Sequence, residues 1–288
     1  MDIAVSKNGL RVLKAMFALL VVFLYAPLVL LVIFSFNDNN LPVFPLKGFT
    51  LKAYEQFASN PELQASLVTS ARVAAVASVG AVVLGLLASI ALVRRRFVGK
   101  AAASALLMSP LVIPYVVFAV ALLILFTQVD VPLSTWTLVI GHIVVILPYA
   151  ILVLAPRLER IDVRLEEAAY DLGASALRTF RSITLPLITP AIVSAFLISF
   201  VFSFDEIILA SFLAGDAVTF PLYLFSQLRF PTLLPQVIAV AVIVMAVSFL
   251  VVLVSEVGRR LVERRLDAEL KSVPEPAAPR AEPAPVGA

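Results

Sequence analysis

The chain alternates between long apolar stretches and shorter polar segments, and the lengths of the apolar stretches predict helices that cross a membrane. Five stretches contain no Asp, Glu, Lys or Arg: 15–36, 101–129, 131–156, 182–204 and 230–255. Each is long enough to cross a hydrocarbon layer as a helix, which takes roughly 20 residues. Residues 65–93 form a sixth stretch, interrupted by Arg72. The pattern predicts an all-α membrane protein with six transmembrane helices.

The expected helices cover about 15–36, 65–93, 103–127, 135–156, 188–213 and 234–256, within a transmembrane domain of residues 15–260. Residues 1–14 precede the first helix, and a polar loop, 157–187, separates the fourth and fifth. Residues 272–288 are rich in Pro and Ala. Such a segment lacks the apolar side chains that a core requires, so it is expected to be a disordered tail.

The charged residues indicate which segments face the cytoplasm. The chain is 61% hydrophobic and 14% charged, whereas a soluble domain is about 25% charged. Eighteen Lys and Arg residues lie in the N-terminus, in 94–100, in 157–181 and in 259–280, against three at Lys47, Lys52 and Arg229. Because cytoplasmic loops carry the excess of Lys and Arg, both termini and the 157–187 loop are expected to be cytoplasmic. The net charge of +3 follows from this bias, so no nucleic-acid partner is expected.

His142 is the only histidine, and the chain has no cysteine. A single histidine within a membrane helix is typical of a hydrogen bond between helices, the alternative being a proton carrier. Transition-metal sites need several histidine or cysteine ligands, so no metal site is predicted. No group of residues predicts a catalytic site.

The 157–187 loop has the pattern of two short helices. Asp162 is a suitable N-cap for a helix over 164–172, in which acidic residues come early, as the helix dipole favours. Gly173 lies where a helix commonly stops in a left-handed conformation. A second helical turn over 175–181 is expected before the fifth membrane helix.

Two short helices joined at a glycine predict a compact knob that contacts a partner. Ala168, Ala169 and Gly173 give the knob a small face that allows close approach of a partner. Leu172, Leu177 and Phe180 are its apolar anchors. Glu166, Glu167 and Asp171 are its hydrogen-bond acceptors. By composition alone, the alternative is an amphipathic helix lying on lipid headgroups.

The spacing within this loop resembles a known signature. The permease subunits of ATP-binding-cassette (ABC) importers share Glu-Ala-Ala, three residues, Gly, nine residues and Ile-x-Leu-Pro. Every fixed position is filled here, by Glu167, Ala168, Ala169, Gly173, Ile183, Leu185 and Pro186. Further elements are similar to those of spermidine/putrescine importer permeases: Ser109-Pro110, Leu147-Pro148-Tyr149 and Ser203-Phe204-Asp205-Glu206. The resemblance implies the type I ABC importer permease fold, as in methionine importers.

The resemblance also implies partners and a location. It implies a bacterial inner-membrane protein that pairs with a second homologous permease, a dimer of ATPase subunits and an extracytoplasmic solute-binding protein. ATP and Mg would be bound by the ATPase, with no cofactor and no enzymatic activity in this chain. In agreement, Gly99-Lys100 lacks the other residues of a phosphate-binding loop. The expected solute is a polyamine; another small solute or an ion-coupled secondary carrier is the alternative.

Four residues are candidates for the transport pathway. Pro110 and Pro114 predict a bend or break in the third helix, which either serves packing or lines the path. Asp205 and Glu206 are expected in the outer half of the fifth helix, where each carboxylate costs a few kcal/mol unless it faces water, protein or a cation. A polyamine cation and Arg72 are both possible counter-charges.

Overall fold

The computed structural model describes residues 7–39, 41–230, 233–250 and 253. Within these ranges the regular elements are helices, apart from one isolated bridge between Asn37 and Phe49, which confirms the all-α class. The chain divides into a unit up to Val242 and a second unit from Ile243, and the packing below is that of the first unit. The predicted tail, 272–288, lies outside the described residues.

The helices follow one another with short connections. They are α1 Lys7–Ser35, α2 Lys52–Ala58, α3 Pro61–Arg94, α4 Lys100–Met108, α5 Tyr115–Gln128, α6 Thr135–Glu159, α7 Val163–Asp171, α8 Ala176–Thr179, α9 Leu185–Phe204, α10 Ile208–Leu213, α11 Phe220–Gln227 and α12 Leu234–Leu250. A 3₁₀ turn, Ser109–Leu111, follows α4, and a π-turn, Phe180–Thr184, joins α8 to α9.

Four of these segments are long and apolar enough to cross a membrane: α1, α3, α6 and the continuous helix from Ala176 to Phe204. The pair α4 and α5 makes a fifth if the two count as one bent span. The sixth predicted span, 234–256, begins with α12, which is shorter over the described residues, and most of the remainder lies outside them.

The predicted bend in the third membrane helix is confirmed, and it is sharp. The axes of α4 and α5 differ by 105°. Pro110 lies in the 3₁₀ turn, and Pro114 is the residue before α5 begins. Because proline has no backbone N–H and clashes with the preceding turn, two prolines four residues apart leave no continuous helix between them.

The fifth predicted helix, 188–213, is corrected by the structure, which contains two helices in this range. Helix α9 ends at Phe204 and α10 begins at Ile208. In a continuous helix the N–H groups of Ile208 and Leu209 would bond to carbonyls four residues earlier. Here they bond to the carboxylate of Glu206, and the helix is interrupted at that point.

Helices α3, α6 and α9 pack together through small residues. The buried face of α3 includes Ala74, Ala77, Ala81 and Gly85. A Cβ placed on Gly85 would lie 2.9 Å from the Cβ of Ala150 in α6, so the two helices approach closely there. Small residues permit this approach between membrane helices, where dispersion and not hydrophobicity drives association. One apolar cluster joins α3, α6 and α9, and a second joins α3, α5, α6 and α10.

Helix α1 contributes little to this packing. No residue from 8 to 34 is buried. Its C-terminal end is held by Ser35, whose hydroxyl lies 2.7 Å from that of Tyr54 in α2. The apolar surface of α1 is therefore open to lipid or to another protein chain.

Candidate functional site

The loop between α6 and α9 is built around a capped helix and a glycine turn. The side chain of Asp162 accepts the backbone N–H of Arg164 at 3.0 Å, as predicted for an N-cap. Helix α7 then runs from Val163, one residue earlier than expected. After it, Gly173 adopts φ +81° and its N–H donates to the Tyr170 carbonyl at 2.8 Å. The predicted left-handed conformation of Gly173 at the end of the helix is confirmed. The N–H of Ala174 also donates to the carbonyl of Ala169, five residues earlier, and the two hydrogen bonds form a Schellman motif.

The knob formed by α7 and α8 exposes apolar surface. Leu172 is 89% exposed and Leu177 is 58% exposed. Ala168 is exposed, while Ala169 and Phe180 are partly buried. A Cβ on Gly173 would meet no atom within 4 Å. Ala168, Gly173 and two of the three apolar anchors are thus uncovered by the described residues.

The acidic residues of the loop divide into two groups. Glu167 and Asp171 are exposed, and neither has an ion-pair partner among the described residues. Glu166 is partly buried, and its carboxylate binds within the chain. It lies 3.3 Å from Arg94 Nη2 and accepts the hydroxyl of Thr184 at 2.9 Å.

The last positions of the signature connect the loop to α9. Ile183 is partly buried in the π-turn, and Pro186 is exposed in the first turn of α9. Leu185 packs against the apolar cluster of α3, α6 and α9. The loop is therefore continuous with a packed membrane helix.

At the break after α9, the adjacent residues Asp205 and Glu206 have different environments. Glu206 is 8% exposed, and its oxygens accept the N–H groups of Ile208 at 3.0 Å and of Leu209 at 2.6 Å. It therefore caps the N-terminus of α10, where the helix dipole favours a negative charge. Asp205, the adjacent residue, is exposed.

His142 joins α6 to this region. Its Nδ1 lies 2.6 Å from the hydroxyl of Ser203 in α9, which confirms the predicted hydrogen bond between helices. Its Nε2 lies 3.9 Å from Glu206 Oε2. Nearby in sequence, Tyr149 contacts the hydroxyl of Tyr115 at 3.2 Å, joining α6 to α5. Polar contacts thus hold α6 against both neighbours.

Two other expectations concern the pathway candidates. Arg72 is exposed and, over the described ranges, forms no ion pair with Asp205 or Glu206, so the predicted pairing is not seen. Pro110 is buried, whereas Pro114 is exposed. Of the four pathway candidates, Asp205 and Pro114 are therefore open to contact.

Two polar contacts in this region were not predicted from the sequence. The capping role of Glu206 has one local signal, which is an acidic side chain just before the apolar run that begins at Ile207. The signal is weak because glutamate is not among the preferred N-cap residues. The ion pair between Arg94 and Glu166 joins residues 72 positions apart, and no local pattern signals such a pair.

A sequence model of a known family matches this chain over residues 81–267, and its description is binding-protein-dependent transport system inner membrane component. The chain belongs to this family. The matched range includes the 157–187 loop and the break after α9. The chain is thus a permease subunit of the ABC importer type, a multi-pass protein of the inner membrane.

Relatives of this permease are named as polyamine transport proteins. The spermidine/putrescine transport system permease protein PotC of Haemophilus influenzae is 38% identical over 239 residues, covering 83% of this chain and 92% of that protein. The putrescine transport system permease protein PotI of Escherichia coli is 37% identical over 216 residues, covering 72% and 76%.

Solved structures support the fold. A bacterial ABC transporter involved in the import of the acidic polysaccharide alginate superposes with a TM-score of 0.66 at 16% identity, covering 86% of this permease and 97% of that chain. An amino acid ABC transporter superposes with a TM-score of 0.53 at 17% identity, covering 75% and 100%. At these identities the likeness concerns the fold alone.

Proposed function

We propose that this permease forms part of the membrane pathway of an ATP-driven importer for polyamines of the spermidine and putrescine kind. The observation that carries the proposal is the 38% identity to a spermidine/putrescine permease over 83% of this chain. The Ser203-Phe204-Asp205-Glu206 element, with Asp205 exposed at the break after α9, gives it residue-level support.

The same proposal assigns the 157–187 loop to an ATPase partner. The knob of α7 and α8 presents exposed Leu172 and Leu177. It also presents the exposed carboxylates of Glu167 and Asp171, which form no ion pair among the described residues. Exposed apolar side chains next to carboxylates that can accept hydrogen bonds are suited to binding the surface of another protein. Two ATPase subunits would bind ATP and Mg and hydrolyse the nucleotide, and this chain would carry no cofactor.

The proposed assembly contains two further proteins, a second homologous permease and an extracytoplasmic solute-binding protein. The unburied apolar surface of α1 supports a partner within the membrane. The distribution of Lys and Arg supports a cytoplasmic position for both termini and for the 157–187 loop.

Attraction between Asp205 and a cationic solute has a physical basis. Two opposite charges 4 Å apart attract by about 4 kcal/mol at an effective dielectric constant of 20 and by about 1 kcal/mol in water. A carboxylate in a partly dry path therefore favours a cation over a neutral or anionic solute. Glu206, already bound to the backbone of α10, has less capacity for this role.

The experiment that tests the proposal is uptake by proteoliposomes containing the complete complex. Labelled spermidine and putrescine are compared with an amino acid and with an acidic sugar. We expect accumulation of the polyamines alone, and a strong loss when the second permease is left out. Accumulation of a neutral or anionic solute in preference to polyamines would contradict the proposed substrate, and full uptake without the second permease would contradict the proposed pairing.

A second candidate function is an ion-coupled carrier, favoured by one observation, the 3.9 Å separation of His142 Nε2 and Glu206 Oε2. Buried ionisable pairs of this kind occur in proton relays. The two candidates differ in their energy source. Proteoliposomes containing this chain without ATPase would accumulate solute along a proton or sodium gradient if it were such a carrier, and we expect none.

A further inference from the structure

The end of α3 is bonded to the 157–187 loop through Arg94. This residue is the last of α3, and its Nη2 donates to Glu166 Oε1 at 3.3 Å and to the carbonyl of Ile161 at 3.1 Å. Glu166 Oε1 also accepts the hydroxyl of Thr184, in the π-turn before α9, at 2.9 Å. One carboxylate oxygen thus connects three elements: α3, α7 and the start of α9.

This contact is more enclosed than an ordinary surface ion pair. The side chains of Arg94 and Glu166 are 14% and 15% exposed, whereas those of Lys52 and Asp38, which also form an ion pair, are 66% and 49% exposed. Exposed pairs contribute little because water and salt screen them. The enclosed pair is screened less, and removing one member leaves the other charge partly buried without its counter-ion.

Among neighbouring basic residues, the contact is specific to Arg94. Arg95 and Arg96 are exposed, and neither has an ion-pair partner within the part of the chain that the structure describes. Membrane topology alone requires positive charge at this end of α3 but does not require a particular arginine to bind α7. The polar bonds of Arg94 therefore have a role besides orientation.

Helix α7 needs these polar bonds because it has no buried residue. Its larger apolar side chains Val163, Leu165 and Tyr170 are between 44% and 48% exposed. A helix of nine residues without a buried face is marginal by itself. Its position relative to α3 and α9 therefore depends on the Arg94, Glu166 and Thr184 contacts.

We infer that Arg94 and Glu166 are positioning residues that fix α7 to α3 and α9, so that displacement of the exposed loop is transmitted to the membrane helices. The exposed residue Leu172, which follows the last residue of α7, lies six residues beyond Glu166, about 9 Å along the helix axis. With the clamp of Arg94, Glu166 and Thr184 intact, a push on Leu172 moves α3 and α9. Without the clamp, the same push rotates α7 about its flanking loops instead. This inference rests on the proposed role of the loop in coupling.

The first test measures the local order of α7 by hydrogen exchange on the purified full chain in lipid nanodiscs. The variants are Arg94→Ala, Glu166→Ala and Thr184→Val, with Arg95→Ala as the matched control one residue away. We expect exchange over residues 163–172 to accelerate about tenfold in Arg94→Ala and Glu166→Ala, as for the loss of a hydrogen bond to a charged group. Thr184→Val should show a smaller increase and Arg95→Ala none. Unchanged exchange in all variants would overturn the inference.

The second test separates coupling from stability in the assembled transporter. Uptake and ATP hydrolysis are measured together in proteoliposomes, and their ratio is compared. We expect this ratio to fall about five- to tenfold in Arg94→Ala and Glu166→Ala, with wild-type amounts of ATPase in the purified complex. The double variant Arg94→Glu with Glu166→Arg restores opposite charges and should recover part of the ratio. A merely stabilising pair would lower the yield of complex and leave the ratio unchanged, and that result would overturn the inference.

The outcomes also distinguish this inference from the proposed function. If Glu166→Ala loses ATPase from the complex while exchange over 163–172 stays normal, Glu166 is a docking residue and the clamp is wrong. If the wild-type chain neither binds an ATPase nor shows ATP-dependent uptake, the proposed function fails, and the exchange measurement still decides whether the clamp orders α7.

Discussion

The carboxylate of Glu206 accepts the backbone N–H of Leu209 at 2.6 Å, which makes Glu206 the cap of α10. Its neighbour Asp205 is exposed, so two adjacent carboxylates have different environments and different expected roles. A continuous helix would also separate them, by about 100° around the axis. The break makes their environments differ further, because the carboxylate of Glu206 accepts backbone N–H groups of α10.

Replacing Glu206 is predicted to reduce stability. Glu206→Ala leaves two N–H groups of α10 without their acceptor, at a cost of about 1.5–3 kcal/mol for hydrogen bonds to a charged group. Glu206→Gln keeps one acceptor oxygen and should cost less. Thermal unfolding of the detergent-purified chain measures both. Equal stability of wild type and Glu206→Ala would contradict the capping role.

Replacing Asp205 is predicted to affect transport instead. Asp205→Asn removes an exposed charge without a partner among the described residues, so stability should change by less than about 0.5 kcal/mol. Uptake of a polyamine, normalised to the amount of assembled complex, should fall because the attraction for a cation is lost. Full uptake per complex would leave Asp205 without a transport role.

Adding any side chain at Gly173 is predicted to be harmful because of the left-handed backbone conformation there, and not because of crowding. Its φ is +81° and a Cβ would meet no atom within 4 Å, so Gly173→Ala costs about 1–2 kcal/mol in strain and disturbs the Schellman turn. Uptake per ATP hydrolysed should decrease while membrane insertion is retained.

Gly99 provides a matched control for this prediction. It has φ +84° and equally open surroundings, but it lies outside the 157–187 loop. Gly99→Ala therefore introduces similar strain and should leave the uptake ratio close to that of wild type. Equal loss of coupling in both variants would show that strain, and not the loop, is responsible.

The close approach of α3 and α6 gives a prediction about stability. In Gly85→Ala the new methyl group would lie 2.9 Å from the Cβ of Ala150, and overpacking of this kind costs about 1–3 kcal/mol. The double variant Gly85→Ala with Ala150→Gly moves the methyl group from α6 to α3 and should recover most of the loss. Unfolding of both variants measures this, and additive destabilisation in the double variant would mean that the two positions are not in contact.

The elements that local chemistry determines were predictable from sequence. Asp162 and Gly173 set the two ends of α7 by a side-chain acceptor and by a left-handed backbone, and both signals act over a few residues. Pro110 and Pro114 likewise act on their own turn of helix and predict the break between α4 and α5. The four spans that the structure contains as continuous helices, α1, α3, α6 and Ala176–Phe204, were predictable because each has sufficient apolar length.

The contacts that depend on tertiary packing were not predictable. The break at Glu206 interrupts a stretch that is predicted as one helix, and the carboxylate there accepts the N–H groups of Ile208 and Leu209. Glu166 reads as a free acceptor within the loop, and only the packing of α3 against α7 brings Arg94 to it. Arg72 and the Asp205–Glu206 pair are charges within apolar sequence, yet no ion pair joins them in the described residues.

Docking of the knob of α7 and α8 on an ATPase subunit can be observed by site-specific cross-linking. The chain has no cysteine, so Leu172→Cys, at an 89% exposed position, introduces a single thiol for a short bifunctional reagent in membranes containing the assembled complex. Val98→Cys, at a fully exposed apolar position in the connection between α3 and α4, is the control. We expect a cross-link from Leu172→Cys to the ATPase subunit, with a yield that changes on adding ATP, and little from Val98→Cys. No cross-link at Leu172→Cys in a complex that transports, or equal yields at both positions, would contradict it.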